Sequence, residues 1–78
     1  MAAQVTVLFF GDAREITGKE AEDYTAGNTA ELRKLILDRY PGLRNISYRL
    51  AQNRVLLKEE TELKVNDIIA ILPPFKGG

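Results

Sequence analysis

The sequence predicts an α+β domain of two layers: a mixed sheet of four to five strands packed on one main helix. Three observations carry this. The apolar runs Gln4-Val5-Thr6-Val7-Leu8-Phe9-Phe10 and Ile68-Ile69-Ala70-Ile71-Leu72 lie near the two ends of the chain and read as strands apolar on both faces, central in the sheet and side by side. One amphipathic helix pattern follows Asn28. The length, 78 residues, allows a single domain, 1–78, with a small core and little room for an enclosed substrate pocket.

In the first strand, Val5, Val7 and Phe9 share one face, while Leu8 and Phe10 share the other. Gly11-Asp12 ends it, and Asp12–Gly18 has room for one short helical turn that Gly18 terminates. Lys19–Tyr24 reads as a more polar strand, hairpin-like with the first across a wide loop. Asn28 or Thr29 caps the main helix, with Glu31 in its first turn, where negative charge is favoured. Leu32, Leu35, Ile36 and Tyr40 form the apolar stripe, and Leu37 lies off it, partly exposed. Tyr40-Pro41-Gly42 stops the helix, because a residue before proline is pushed out of the α region. Tyr48–Asn53 and Val55–Leu57 read as short strands around a tight connection. Lys58–Thr61 and Lys64–Asp67 are turns, the second with Asn66 suited to a left-handed conformation.

Composition excludes several function classes. Without cysteine or histidine there is no disulfide, no thiol nucleophile, no zinc site of the usual ligands and no ordinary near-neutral base. No acidic cluster has the spacing of a calcium loop. Lysine plus arginine equals aspartate plus glutamate, 11 each, so no broad nucleic-acid footprint is expected. No segment has membrane-spanning length, and Met1–Gln4 followed by Val5–Phe10 does not make a secretory signal, so a cytoplasmic protein is expected. A carrier or binding module fits this composition better than a self-contained enzyme.

The most telling segment is Ile71-Leu72-Pro73-Pro74-Phe75-Lys76-Gly77-Gly78. Two glycines make a thin tip whose carboxylate can thread a narrow channel, and two prolines hold the approach extended. The expected site is therefore Gly78, borne on a flexible tail over 73–78 with Gly77, Lys76, Phe75, Pro74 and Pro73. One helix covers one sheet face only, so Leu8, Phe10, Ala70 and Leu72, with Phe75 beside them, are expected to present an apolar partner surface on the other.

With Val7–Gly11, Ala13–Gly18, Thr29–Leu32 and the Pro-Pro-x-x-Gly-Gly ending after an apolar strand, the whole chain resembles the MoaD-type small subunits of molybdopterin synthase. The resemblance implies a β-grasp (ubiquitin-like) fold and a sulfur-carrier role. An E1-like adenylating enzyme, using ATP, joins the Gly78 carboxylate to AMP. Sulfur then replaces AMP, and the resulting thiocarboxylate delivers it to a cyclic pyranopterin inside the large synthase subunit. It further implies a heterotetramer of two small and two large subunits, no bound cofactor, and general acid–base groups supplied by the partner. Two departures stand out: Gln52-Asn53-Arg54 where many relatives have Val-Asn-Gly, and Asn66-Asp67 where they often have Gly-Asp. Carriers for thiazole or cysteine synthesis and ubiquitin-like protein modifiers share the same architecture and remain alternatives.

The other polar residues carry less. Phe75 reads equally as an anchor in a partner groove or as a core residue. Lys76 reads first as a solvated lysine and second as a contact by which a partner recognises the tail, and Arg14 as a surface arginine or a contact for the adenylating enzyme. Glu59, Glu60 and Glu62 make a charged turn, and Asp12, Glu15, Glu20, Glu22 and Asp23 are expected to be solvated.

Overall fold

The computed structural model describes residues 2–74. The order is β1 (Ala3–Phe9), α1 (Gly11–Thr17), β2 (Ala21–Ala26), α2 (Thr29–Arg39), a 3₁₀ turn (Pro41–Asn45), β3 (Arg49–Gln52), β4 (Val55–Leu56) and β5 (Ile68–Leu72). The five strands form one mixed sheet in the order β2-β1-β5-β3-β4. The two apolar strands, β1 and β5, lie side by side and parallel, with Val7 opposite Ile69 and Phe9 opposite Ile71. β2 is antiparallel to β1, and β3 is antiparallel to both β5 and β4.

Period-2 alternation decides the two faces of β1. Val5, Val7 and Phe9 are buried and meet Leu32 and Ile36 of α2, Leu43 of the 3₁₀ turn, and Ile69 and Ile71 of β5. Phe9 also packs edge-on against Tyr40, with ring centroids 5.9 Å apart. The helix stripe differs from expectation at one residue: Leu35 is exposed, while Leu37, partly exposed as expected, packs against the edge of the core. The cause is Thr29, fully buried in the first turn of α2. Its hydroxyl donates to Glu60 at 3.2 Å and accepts from the Thr61 N–H at 2.9 Å. A buried threonine turns the centre of the buried stripe towards Leu37 and away from Leu35.

Asn28 is the cap of α2: its Oδ1 accepts from the Glu31 N–H at 2.8 Å. Asn28→Ala is expected to cost about 1 kcal/mol, read as a fall in Tm of roughly 4–8 °C. At the other end the chain tightens after Tyr40 into the 3₁₀ turn, which places Leu43 in the core.

Glu22 is not solvated, as its neighbours in β2 suggested. Its side chain is only 13% exposed and bridges β2 to the end of α2. It accepts from the Tyr24 hydroxyl, from Tyr40 Oη at 3.1 Å, from Lys19 Nζ at 2.8 Å, and pairs with Arg39 at 3.1 Å. Burial opposes its ionisation, but the hydrogen bonds from Lys19, Tyr24 and Tyr40 outweigh burial and hold its carboxyl below the usual range. Burial, and then the same contact with Glu22, push the Tyr24 phenol upward, so it stays a donor. A lowered folded pKa stabilises the native state above the ordinary value of 4.5 and ceases to do so as pH falls through the folded value. Glu22→Gln is therefore expected to lower stability by about 1–2 kcal/mol near neutrality. The gap to the wild type should narrow steadily in melts taken below the ordinary carboxyl pKa; a gap that is constant with pH would exclude the charge as its source.

Candidate partner interface

β5 leaves the sheet beside the end of β1, which places the start of the tail against the β1–α1 junction. The Phe10 N–H donates to the Ile71 carbonyl at 3.1 Å, so the two strand ends are tied together. Gly11 follows with φ 56°, and a Cβ built there would lie 3.5 Å from the Pro73 side chain. Glycine at this position serves the left-handed turn into α1, with the first tail proline in ordinary packing distance beside it. Pro73 and Leu72 border a small hollow together with Phe10, Ala13, Ile46 and Tyr48. Burial pushes the Tyr48 phenol upward, so it is neutral there. Pro74 is exposed. Phe75, Lys76, Gly77 and Gly78, and with them the expected reactive residue and the expected aromatic beside the face, lie outside the described residues.

The sheet face away from α2 is concave and apolar. Leu8 and Phe10 of the first strand region and Ala70 and Leu72 of β5 line one hollow, as alternation requires. Ala51 of β3, Leu56 of β4 and Ile68 of β5 complete it, with Asn53 and Arg54 at the β3–β4 hairpin. Phe10, Leu56 and Ile68 are exposed at 43%, 47% and 47%, so the face is apolar surface in contact with solvent. Ile68 was readable from the same period-2 pattern as Ala70 and Leu72. Ala51 and Leu56 depend on the pairing of Ala51 with both Ala70 and Leu56, which no local pattern reveals. Because Leu72 borders this face and Pro73 follows it directly, face and tail root are continuous.

Several of the remaining polar residues are engaged within the chain. Arg14 pairs with Glu20 at 2.7 Å. Glu60 pairs with Arg33 and accepts from Thr29, so it serves the α2 start rather than a carboxylate pair. Asp67, nearly buried, accepts from Asn53 Nδ2 at 2.9 Å, Gln52 Nε2 at 2.9 Å and the Lys64 N–H at 2.8 Å. The Asn53 bond leads the causes that hold the Asp67 carboxyl below its usual range. Asn66 adopts φ 70°, the left-handed turn conformation expected of it. Among the described residues, no group of three or more acidic, histidine or cysteine side chains is placed to hold a metal ion, and no helix is long and apolar enough to cross a membrane.

Comparison with known proteins agrees with this architecture. The ThiS family matches residues 7–78. The molybdopterin synthase sulfur carrier subunit of Caenorhabditis briggsae is 36% identical, over 95% of this chain and 96% of that protein. A chain in the complex of subunits 1 and 2 of the molybdopterin-converting factor from Helicobacter pylori is 34% identical, with a TM-score of 0.73, covering 96% of this chain and 99% of that one. The small archaeal modifier protein 1 of Methanosarcina acetivorans shares the fold, with a TM-score of 0.87 over 100% of this chain and 99% of its own, at 24% identity. With its ubiquitin-like β-grasp sheet and its full-length similarity to molybdopterin synthase small subunits, the chain belongs to the ThiS family.

Proposed function

We propose that this protein carries sulfur on the Gly78 carboxylate and delivers it as the small subunit of a molybdopterin synthase. The observation that carries this reading is the similarity, over nearly the full length of both chains, to molybdopterin synthase sulfur carrier subunits. The apolar face that runs into the tail root supports it: a carrier must hold a partner firmly while its tip reaches the partner's active site.

The chemistry follows from the chain end. A carboxylate is a poor acyl electrophile. Its oxygen attacks ATP on an E1-like adenylating enzyme, pyrophosphate leaves, and the acyl adenylate forms. A sulfur nucleophile then attacks the acyl carbon and AMP leaves. The thiocarboxylate is a strong nucleophile towards a cyclic pyranopterin held by the large subunit. This chain has no histidine or cysteine, so the acid–base groups and the substrate pocket belong to its partners. The catalytic unit is the complex, two small and two large subunits in the cytoplasm, and the small subunit alone is no enzyme. Burial of the apolar face offsets the entropy cost of placing the tail in a partner's active site. One tail serves the adenylating enzyme and then the large subunit, so these two partners compete for it.

The test is the intact mass of the protein after incubation with the adenylating enzyme, ATP and a sulfur donor. The expected result is the gain of one sulfur in place of one oxygen, reversed when the large subunit and pterin precursor are added. Sulfur gain without consumption by that subunit would assign the carrier to another pathway. Attachment to protein lysines would make it a modifier.

A further inference from the structure

The β3–β4 hairpin turns on Asn53 and Arg54, both with positive φ, 50° and 73°. A two-residue hairpin loop of this kind normally ends in glycine, because a Cβ in the left-handed region crowds the backbone. Asn53 suits its place. Its Oδ1 accepts from the Ile68 N–H at 2.8 Å, its Nδ2 donates to Asp67 at 2.9 Å, and its own N–H donates to the Ile68 carbonyl at 2.8 Å. The hairpin tip is thereby fastened to the start of β5. Arg54 has no comparable task. It is exposed, and it belongs to none of the ion pairs among the described residues. Yet it borders the apolar hollow beside Leu8, Leu56 and Ile68, and among the described residues it is the one charged side chain that does so.

A left-handed, non-glycine position whose side chain joins no ion pair among the described residues points to a role outside its own fold. We propose that Arg54 is a specificity-determining contact, a cation held at the edge of the docking face that pairs with a carboxylate of the partner protein. This rests on the reading of that face as the surface that receives the large synthase subunit. The apolar residues give affinity without much discrimination. A guanidinium covered by a partner lacking an opposing carboxylate is left desolvated and unpaired, which penalises the wrong partner. The receiving surface is therefore apolar, with an aspartate or glutamate opposite the hairpin tip.

The test compares wild type, Arg54→Gly, Arg54→Glu and Phe10→Asp by titration against the large molybdopterin synthase subunit of the same organism at low and high salt, with a thermal melt of each. Arg54→Gly should melt a few degrees higher, since glycine relieves the left-handed position. It should bind about tenfold more weakly and lose most of the salt dependence of association, and Arg54→Glu should bind roughly a hundredfold more weakly. Both arginine variants binding like wild type, with Phe10→Asp impaired, would leave the docking face standing and overturn the role of Arg54. Phe10→Asp binding like wild type would overturn the face itself. A lower melting temperature for Arg54→Gly would mean that the arginine supports its own fold, and would equally overturn the proposal.

Discussion

Adding one residue after Gly78, or deleting Gly78, is expected to abolish sulfur transfer and leave the melting temperature unchanged. The two changes fail for different reasons. An added residue turns the Gly78 carboxylate into an amide, which has no free oxygen to attack ATP. Deletion leaves a carboxylate on Gly77, chemically competent but withdrawn by about 3.5 Å, the reach of one extended residue. A displacement of only ~1 Å at a reacting group can lower a rate by about 100-fold. Stability is expected to be spared because, among the described residues, the buried core runs from Ala3 to Ile71. Sulfur gain by intact mass, with the extension shown to be still attached, would place the reactive group elsewhere.

The parts of the fold that local chemistry dictates were legible. Alternation in β1 and β5 marked both the core face and the apolar outer face, because a period of 2 admits no third arrangement. Asn28, Gly18 and Asn66 marked their cap, helix end and turn, because each role depends on one side chain or on one left-handed backbone angle. What depended on tertiary partners was not legible. Leu35 and Leu37 flank the same helix stripe, and only the burial of Thr29 against Glu60 and Thr61 decides between them. Glu22 looked solvated because its hydrogen-bond partner Tyr40 lies 18 residues away. The 3₁₀ turn after Pro41 was read only as a helix stop. For the site, four of the face residues followed from alternation, while Ala51 and Leu56 required the β3 register. Arg54 stood out in the sequence only as a residue foreign to its turn; its place on the apolar rim required the folded hairpin.

Phe10→Asp is expected to weaken binding to the large synthase subunit by about 100-fold, near 3 kcal/mol, with almost no loss of stability. The aromatic ring lies at the junction of the apolar hollow and the tail root, bordering both. A carboxylate there would be desolvated by any apolar partner surface that closes over the face. The free protein does not pay a similar penalty, because Phe10 is 43% exposed and is missing from the buried core cluster. Its structural contribution comes from the backbone: the N–H donates to Ile71, and the carbonyl accepts from the Ala13 N–H at 3.2 Å. Neither bond depends on the side chain. Phe10 also occupies the N-cap position of α1 with extended dihedrals and no side-chain cap, a place where aspartate is among the favoured residues. The substitution therefore separates the two uses of this position, leaving the fold its turn while denying the partner its apolar contact. Titration against the large subunit, paired with a thermal melt, reads both at once. A large fall in Tm with unchanged affinity would make Phe10 a core residue and remove the face from the proposed interface.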